Sequence, residues 1–248
     1  MIKVSVIIAV YNNKEDVLNA INSVINQSYY DWELIIIDDF STDGTFEILS
    51  DFLSKLQNEI KNKIKISRNQ INVGTYVSFN EGILKSNGSY IKFLGSDDKL
   101  HPKSLEKQVN ILDKNNKYVG VLSNYMRDNS VIEKGEATIM FRKEIIKQIG
   151  YFDSVRFGAD SEFINRINYQ FGFDKLYSLK EILYYSKRRK NSLTTNPNTC
   201  GIYKNGLGSS IRIKYKQSYT NWHSKNKNLF IPYPIYERPF NVDQIMLP

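Results

Sequence analysis

Residues Val4–Val10 read VSVIIAV and residues Trp32–Asp38 read WELIIID. Neither run alternates polar with apolar. Continuous β-branched runs of this length suit strands buried on both faces, the environment of a parallel sheet covered by helices. Between them, residues 14–27 carry Val17, Leu18, Ile21, Val24 and Ile25 at helical spacing. The alternation continues. A Ser or Thr of Ser41-Thr42-Asp43-Gly44 is expected to cap a helix over about 45–58, and residues 63–67 form a third strand. Residues 77–86 then form a helix closed by Gly88, residues 90–94 a fourth strand, and Pro102 opens a helix to about Lys114. Residues 119–123 give a fifth strand. This β-α series predicts an α/β chain with an open, mostly parallel sheet flanked by helices.

Sheets of that kind bind ligands beyond the carboxyl ends of their strands. The polar clusters fall there: Tyr11-Asn12 after the first strand, Asp38-Asp39 after the second, Asp97-Asp98 after the fourth. The first of these turns, Ala9-Val10-Tyr11-Asn12-Asn13, has no glycine, which disfavours dinucleotide and P-loop chemistry. Adjacent carboxylates repel unless a cation joins them, so Asp97-Asp98 is a candidate seat for Mg²⁺ or Mn²⁺ bridging to a diphosphate.

The second half is less regular. A strand over 137–142, a short helix over 143–149, an amphipathic helix over 160–171 and a strand over 182–186 are expected. A basic helix over 203–218 follows, and a proline-rich tail over 230–248 is expected to wrap the body. Charge divides with the halves. Residues 1–130 hold 15 Lys/Arg against 16 Asp/Glu, residues 131–248 hold 19 against 10, and residues 187–227 hold 10 cations and no acid. One cysteine and two distant histidines exclude a disulfide framework and Cys- or His-based zinc sites. The longest apolar run is too short to cross a bilayer, and no small-residue cleavage site follows Met1-Ile-Lys. The expectation is a soluble, cytoplasmic protein, with peripheral contact to an anionic membrane as a second expectation. A nucleic-acid surface is the rival reading of the basic stretch, but it does not account for the strand-end acids.

The ordered segments VSVIIAVYNN, AINSVINQSY, WELIIIDDFSTDGT, NVGTYVSFNEGI and GSYIKFLGSDD resemble the motif series of family-2 inverting glycosyltransferases with the GT-A fold. The likeness continues through DDKLHPKSLEKQVNIL, GYFDSVRFGADSEFINRI, LYYSKRRKNSLTT and YTNWH. It implies a nucleotide-sugar-binding half over 1–125 and an acceptor half over 126–248 within one continuous domain. It implies a UDP- or dTDP-sugar donor, a glycan, lipid-linked or protein acceptor, and Mn²⁺ or Mg²⁺.

The resemblance also implies roles. Ala9, Tyr11 and Asn12 would line the base and ribose pocket. Asp39 would accept the uracil imide N–H, with Asp38 beside it and Arg68 and Asn72 near the nucleotide. Asp97 and Asp98 match the metal-binding acids, Asp98 being the favoured ligand, although Gly95 stands where the family often carries another acid. Asp160 matches the general base that takes the acceptor's proton. Glu162 would contact the acceptor or pair with Arg166 at i+4. Arg188, Arg189 and Ser192 would face the donor diphosphate, Trp222 would fold over the site, and His223 is a weak metal candidate.

Overall fold

The computed structural model describes residues 2–187 and 210–248. Its centre is one mixed sheet. Strands β1 (Val4–Val10), β2 (Trp32–Asp38), β3 (Ile64–Arg68) and β4 (Tyr90–Gly95) run parallel. Helix α1 (Val17–Ile25), helix α2 (Thr45–Lys55) with a turn of helix α3 (Asn58–Lys61), and helix α4 (Thr75–Lys85) connect them. The two-residue strand β5 (Lys99–Leu100) leads into helix α5 (Ser104–Lys114). Strand β6 (Gly120–Arg127) makes a hairpin with β7 (Ser130–Ile132). Strand β8 (Met140–Arg142), helix α6 (Ile146–Ile149), helix α7 (Ala159–Phe171), strand β9 (Leu176–Ser186) and helix α8 (Ser210–Lys225) complete the order.

Across the sheet the order is β3-β2-β1-β4-β8-β6-β9-β5, with β7 beside β6. The parallel core matches expectation. Beyond β4 the sheet turns mixed, because β8 is antiparallel to both β4 and β6, and β5 is antiparallel to β9. β1 and β2 keep the bounds their apolar runs dictate, since each is buried along almost its whole length. Val6, Ile8, Leu34 and Ile36 face one core layer with Val17, Ala20, Ile21 and Val24 of α1. Ile7, Ile35 and Ile37 face the other, with Phe79 and Ile83 of α4 and Phe163 of α7.

Several local expectations are corrected. Gly88 does not cap α4, which ends at Ser86 in extended backbone. A Cβ at Gly88 would lie 2.5 Å from the Ser5 amide, so it is a packing glycine. Pro102 precedes α5, whose first residue is Ser104. Gly44, at φ +91°, stands at the N-cap of α2, while Asp43 Oδ1 accepts the Thr45 N–H at 3.0 Å. The strand expected over 137–142 splits into a 3₁₀ turn, Glu136–Thr138, followed by β8. The helix expected over 203–218 is α8, whose described residues run on to Lys225.

The tail straps the second half. Ile231 pairs with Gly150, where a Cβ would fall 1.9 Å from the Ile231 carbonyl oxygen, so only glycine permits the contact. Arg238 pairs with Asp153, and the Arg156 N–H donates to the Met246 carbonyl at 2.7 Å. These bonds hold the segment that leads into α7.

Candidate active site

The register brings three strand ends together. Val10 lies opposite Asp38, and Ala9 lies opposite both Ile37 and Gly95. Ala9, Tyr11, Asn12, Asp38, Asp39, Asp97 and Asp98 therefore gather along one edge of the parallel sheet. The two acid pairs are used in different ways.

Asp38 is fully buried. Its carboxylate takes an ion pair from Arg68 at 3.1 Å and the Ser41 N–H at 3.2 Å. Burial pushes its pKa up, against the lowering effects of Ser41 and Arg68. Asp39 accepts four hydrogen bonds. Oδ1 takes Asn69 Nδ2 at 2.8 Å and the Val73 N–H at 2.9 Å; Oδ2 takes Asn72 Nδ2 at 2.9 Å and the Gly74 N–H at 2.7 Å. A carboxylate has about four acceptor sites. Asp39 is therefore committed to holding the loop between β3 and α4, and Asp38 to holding Arg68. Asp38 Oδ1 is buried with no hydrogen-bond partner among the described residues. Asn72 belongs to the same brace, with its Oδ1 accepting from Arg156 at 2.7 Å. The exposed groups at this edge are aromatic: Tyr11 is 47% exposed and Phe40 41% exposed, and the Arg68 guanidinium lies over the Phe40 ring. Phe40 went unnoticed in the sequence. Its left-handed backbone, φ +65°, turns it out of the strand line.

Asp98 of the second acid pair lines a cavity of about 220 Å³. Asp98 Oδ2 accepts the Tyr184 hydroxyl at 2.6 Å and Oδ1 accepts the Lys187 N–H at 2.8 Å. A Cβ at residue 95 would approach Asp98 Oδ2 to 2.5 Å, so glycine there makes room for the acid. Burial, then the neighbouring Asp97 charge, pushes the Asp98 carboxyl up to about 6. Among the described residues no third His, Cys, Asp or Glu joins these two acids. A cation here would complete its shell from diphosphate oxygens and water, the habit of Mg²⁺ and Mn²⁺. The donor set of two hard carboxylates fits such an ion.

Asp160 lines the same cavity from the first turn of α7. Gly158, at φ +88°, turns the chain into that helix. Tyr76 is buried and lines the cavity with Asp160, and its pKa is raised by burial and then by the Asp160 charge. Glu136, from the 3₁₀ turn before β8, also lines the cavity. Burial, then Asp160, pushes its carboxyl up to about 7. Phe79, Phe93, Phe152 and Phe163 supply apolar wall. Tyr76, Glu136 and Tyr184 carried no motif signal. Each is recognisable only by partners 84, 25 and 86 residues away: Asp160, Ser161 and Asp98.

Other expected site residues are placed elsewhere. Glu162 and His223 are buried and bind each other, Glu162 Oε1 to His223 Nε2 at 2.9 Å, while Arg166 pairs with Glu162 Oε2 at 2.8 Å. This corrects the metal reading of His223 and the acceptor reading of Glu162; the alternative i+4 pairing is what forms. Trp222 is half-buried and stacks near Phe240 of the tail, 5.3 Å between ring centroids, rather than covering the cavity. Arg188, Arg189 and Ser192 lie outside the described residues. Among the described residues no helix is long and apolar enough to cross a membrane.

Comparison with known proteins agrees with this architecture. Residues 5–201 match the family model of glycosyl transferase family 2. A Bacillus subtilis (strain 168) protein, provisionally named glycosyltransferase EpsE, is 38% identical over 116 residues, which is 47% of this chain and 40% of that protein. The structure of S. aureus TarS 1-349 in complex with UDP superposes with a TM-score of 0.63 at 20% identity, over 75% of this chain and 60% of that one. The mannosyltransferase PcManGT from Pyrobaculum calidifontis, in complex with GDP-Man and Mn²⁺, gives 0.62 at 14% identity, over 77% of this chain and 58% of that one. The chain spans about two fifths of the length of the curated relatives it matches. The fold is of the GT-A type, and the chain belongs to glycosyl transferase family 2.

Proposed function

We propose that the protein is an inverting glycosyltransferase that moves one sugar from a UDP-sugar to a hydroxyl of a glycan or lipid-linked acceptor. The observation that carries this reading is the single cavity with Asp98 on one wall and Asp160 on the other. Inversion needs one displacement, so it needs one base on the acceptor side and a means of stabilising the leaving diphosphate on the other. Asp160 is the base, presented to the cavity from the first turn of α7 beside the buried Tyr76. Asp98 and Asp97 would hold Mn²⁺ or Mg²⁺, which supplies Lewis-acid stabilisation of the diphosphate. Tyr184 and the Lys187 N–H hold Asp98 in its place on that wall. The exposed faces of Tyr11 and Phe40, with Arg68 behind Phe40, form the platform for the base of the nucleotide.

The UDP preference no longer leans on Asp39. It is supported by the fold's likeness to a UDP complex, while the likeness to a GDP-Man complex keeps GDP-sugars in the test. The experiment is a thermal-shift panel of UDP-, dTDP- and GDP-sugars in Mn²⁺ and in EDTA, followed by nucleotide release for those that bind. The reading expects a rise in melting temperature for UDP-sugars, larger in Mn²⁺. No rise with any nucleotide sugar overturns it.

A further inference from the structure

The transfer just described uses Asp98 and Asp160 and leaves a third carboxyl in the cavity unassigned. Glu136 is costly to place in an aromatic pocket, and the chain fixes it there with an elaborate brace. The Thr138 carbonyl accepts both the buried Lys92 ammonium and Gln108 Nε2, the latter at 2.9 Å. Thr138 Oγ1 accepts the Ser123 N–H at 2.8 Å and donates to the Gly135 carbonyl at 2.6 Å. The Gly135 N–H returns to the Ser123 carbonyl at 3.1 Å. Every one of these bonds immobilises the three-residue turn that presents Glu136. Among the described side chains only Ser161, the neighbour of Asp160, hydrogen-bonds it. Its remaining acceptor capacity faces the cavity, alongside Asp160.

We propose that Glu136 is a specificity-determining residue whose carboxyl binds a hydroxyl of a sugar ring seated between the aromatic walls, next to the group served by Asp160. This rests on the glycosyltransferase reading and deepens it. Aromatic rings pack the C–H faces of a sugar while carboxyls bind its hydroxyls, so the walls and the acid pair suit one neutral ring with neighbouring hydroxyls. A ring carrying its own carboxylate would add an anion to Asp98, Asp160 and Glu136, and the pocket rejects it. The ring is either the donor's sugar or the acceptor's terminal sugar; the chemistry is the same.

The test uses the full chain as wild type, Glu136→Gln and Glu136→Ala, all in Mn²⁺, with melting temperatures as the check on folding. UDP, UDP-glucose, UDP-N-acetylglucosamine and UDP-glucuronate are titrated calorimetrically, and neutral and uronate-bearing oligosaccharides are probed on an array with UDP present. If the ring is the donor's, UDP binds all three proteins alike, and the neutral UDP-sugars weaken by about tenfold or more in the alanine variant. The glutamine variant keeps most of that affinity and gains UDP-glucuronate. If the ring is the acceptor's, the UDP-sugars bind all three alike and the same pattern appears on the array. Either result supports the proposal. Identical affinities and identical array profiles for all three folded proteins overturn it and leave the glycosyltransferase reading standing. A wild type that binds neither nucleotide sugars nor glycans overturns that reading, and this inference with it.

Discussion

Two adjacent-acid pairs follow the strands on either side of β1 in one sheet, and they have opposite fates. Asp38-Asp39 is engaged by the fold: Asn69, Asn72 and two backbone N–H groups fill both oxygens of Asp39, and Arg68 and the Ser41 N–H hold Oδ2 of the buried Asp38. Of Asp97-Asp98, Asp98 lines a cavity, with burial and mutual repulsion driving it toward protonation. A short acidic dipeptide after a buried strand is thus either a brace or a binding site. The decision is made by the donors that the rest of the fold supplies. The first pair receives a loop rich in amides. Asp98 of the second receives one phenol and one backbone N–H and lines the cavity.

This contrast can be broken by substitution, and the largest effect belongs to the open side. Asp160→Asn should reduce nucleotide release in the presence of acceptor by at least ~10²-fold, the usual scale of a general base, while UDP affinity holds. Near-normal turnover would remove Asp160 from the chemistry. On the braced side, Asp39→Asn places an amide against the Asn69, Asn72, Val73 and Gly74 donors. It should lower stability by about 1–3 kcal/mol, the cost of buried donors left without an acceptor. An unchanged melting temperature with a lost UDP affinity would show that Asp39 serves the nucleotide after all. Next in size, Asp98→Ala should erase most of the difference in UDP affinity between Mn²⁺ and EDTA while leaving the EDTA value in place. Equal losses in both media would erase the contrast between the pairs.

A further effect, on stability alone, concerns Lys92, which sits beneath the turn that carries Glu136. Burial lowers its pKa from 10.5 to about 7. Because the folded value is the lower one, the unfolded chain binds the extra proton between pH 7 and 10.5. Wild-type stability therefore gains from this group as pH rises through that window, at up to about 1.4 kcal/mol per pH unit. Lys92→Met removes the dependence. Its advantage in melting temperature over wild type should be greater at pH 6 than at pH 9, and an advantage independent of pH would show that Lys92 carries no buried charge.

The residues that could be read in advance are those whose signal is local. β1 and β2 announce themselves because seven consecutive residues are buried on both faces. Asp98 and Asp160 announce themselves within motif segments whose order along the chain is itself informative. Asp39 misled, because what occupies it is a loop 30 to 35 residues away, and no feature of DDFSTDG encodes that. Glu162 carried two readings, and its neighbour at i+4 was the right one because α7 buries that face against α8. Glu136 was invisible for a different reason. Its turn has neither apolar period nor motif, and its importance comes from Thr138, Gln108 and Lys92 converging from three separate elements.

The junction of Gly150 with Ile231 has a consequence for how the molecule comes into being. β1 to β4 and their helices all lie within residues 4–95, and a nascent chain can assemble them as they emerge. The strap follows them in the chain and can dock only once the segment around Gly150 is in place. Asp153, which leads into α7, is held by Arg238 of the strap and the Tyr215 hydroxyl of α8, and Arg156 by the strap and Asn72 together. The wall that carries Asp160 is therefore finished after the sheet edge that carries Tyr11, Asp39 and Phe40, so the two sides of the molecule mature in sequence rather than together.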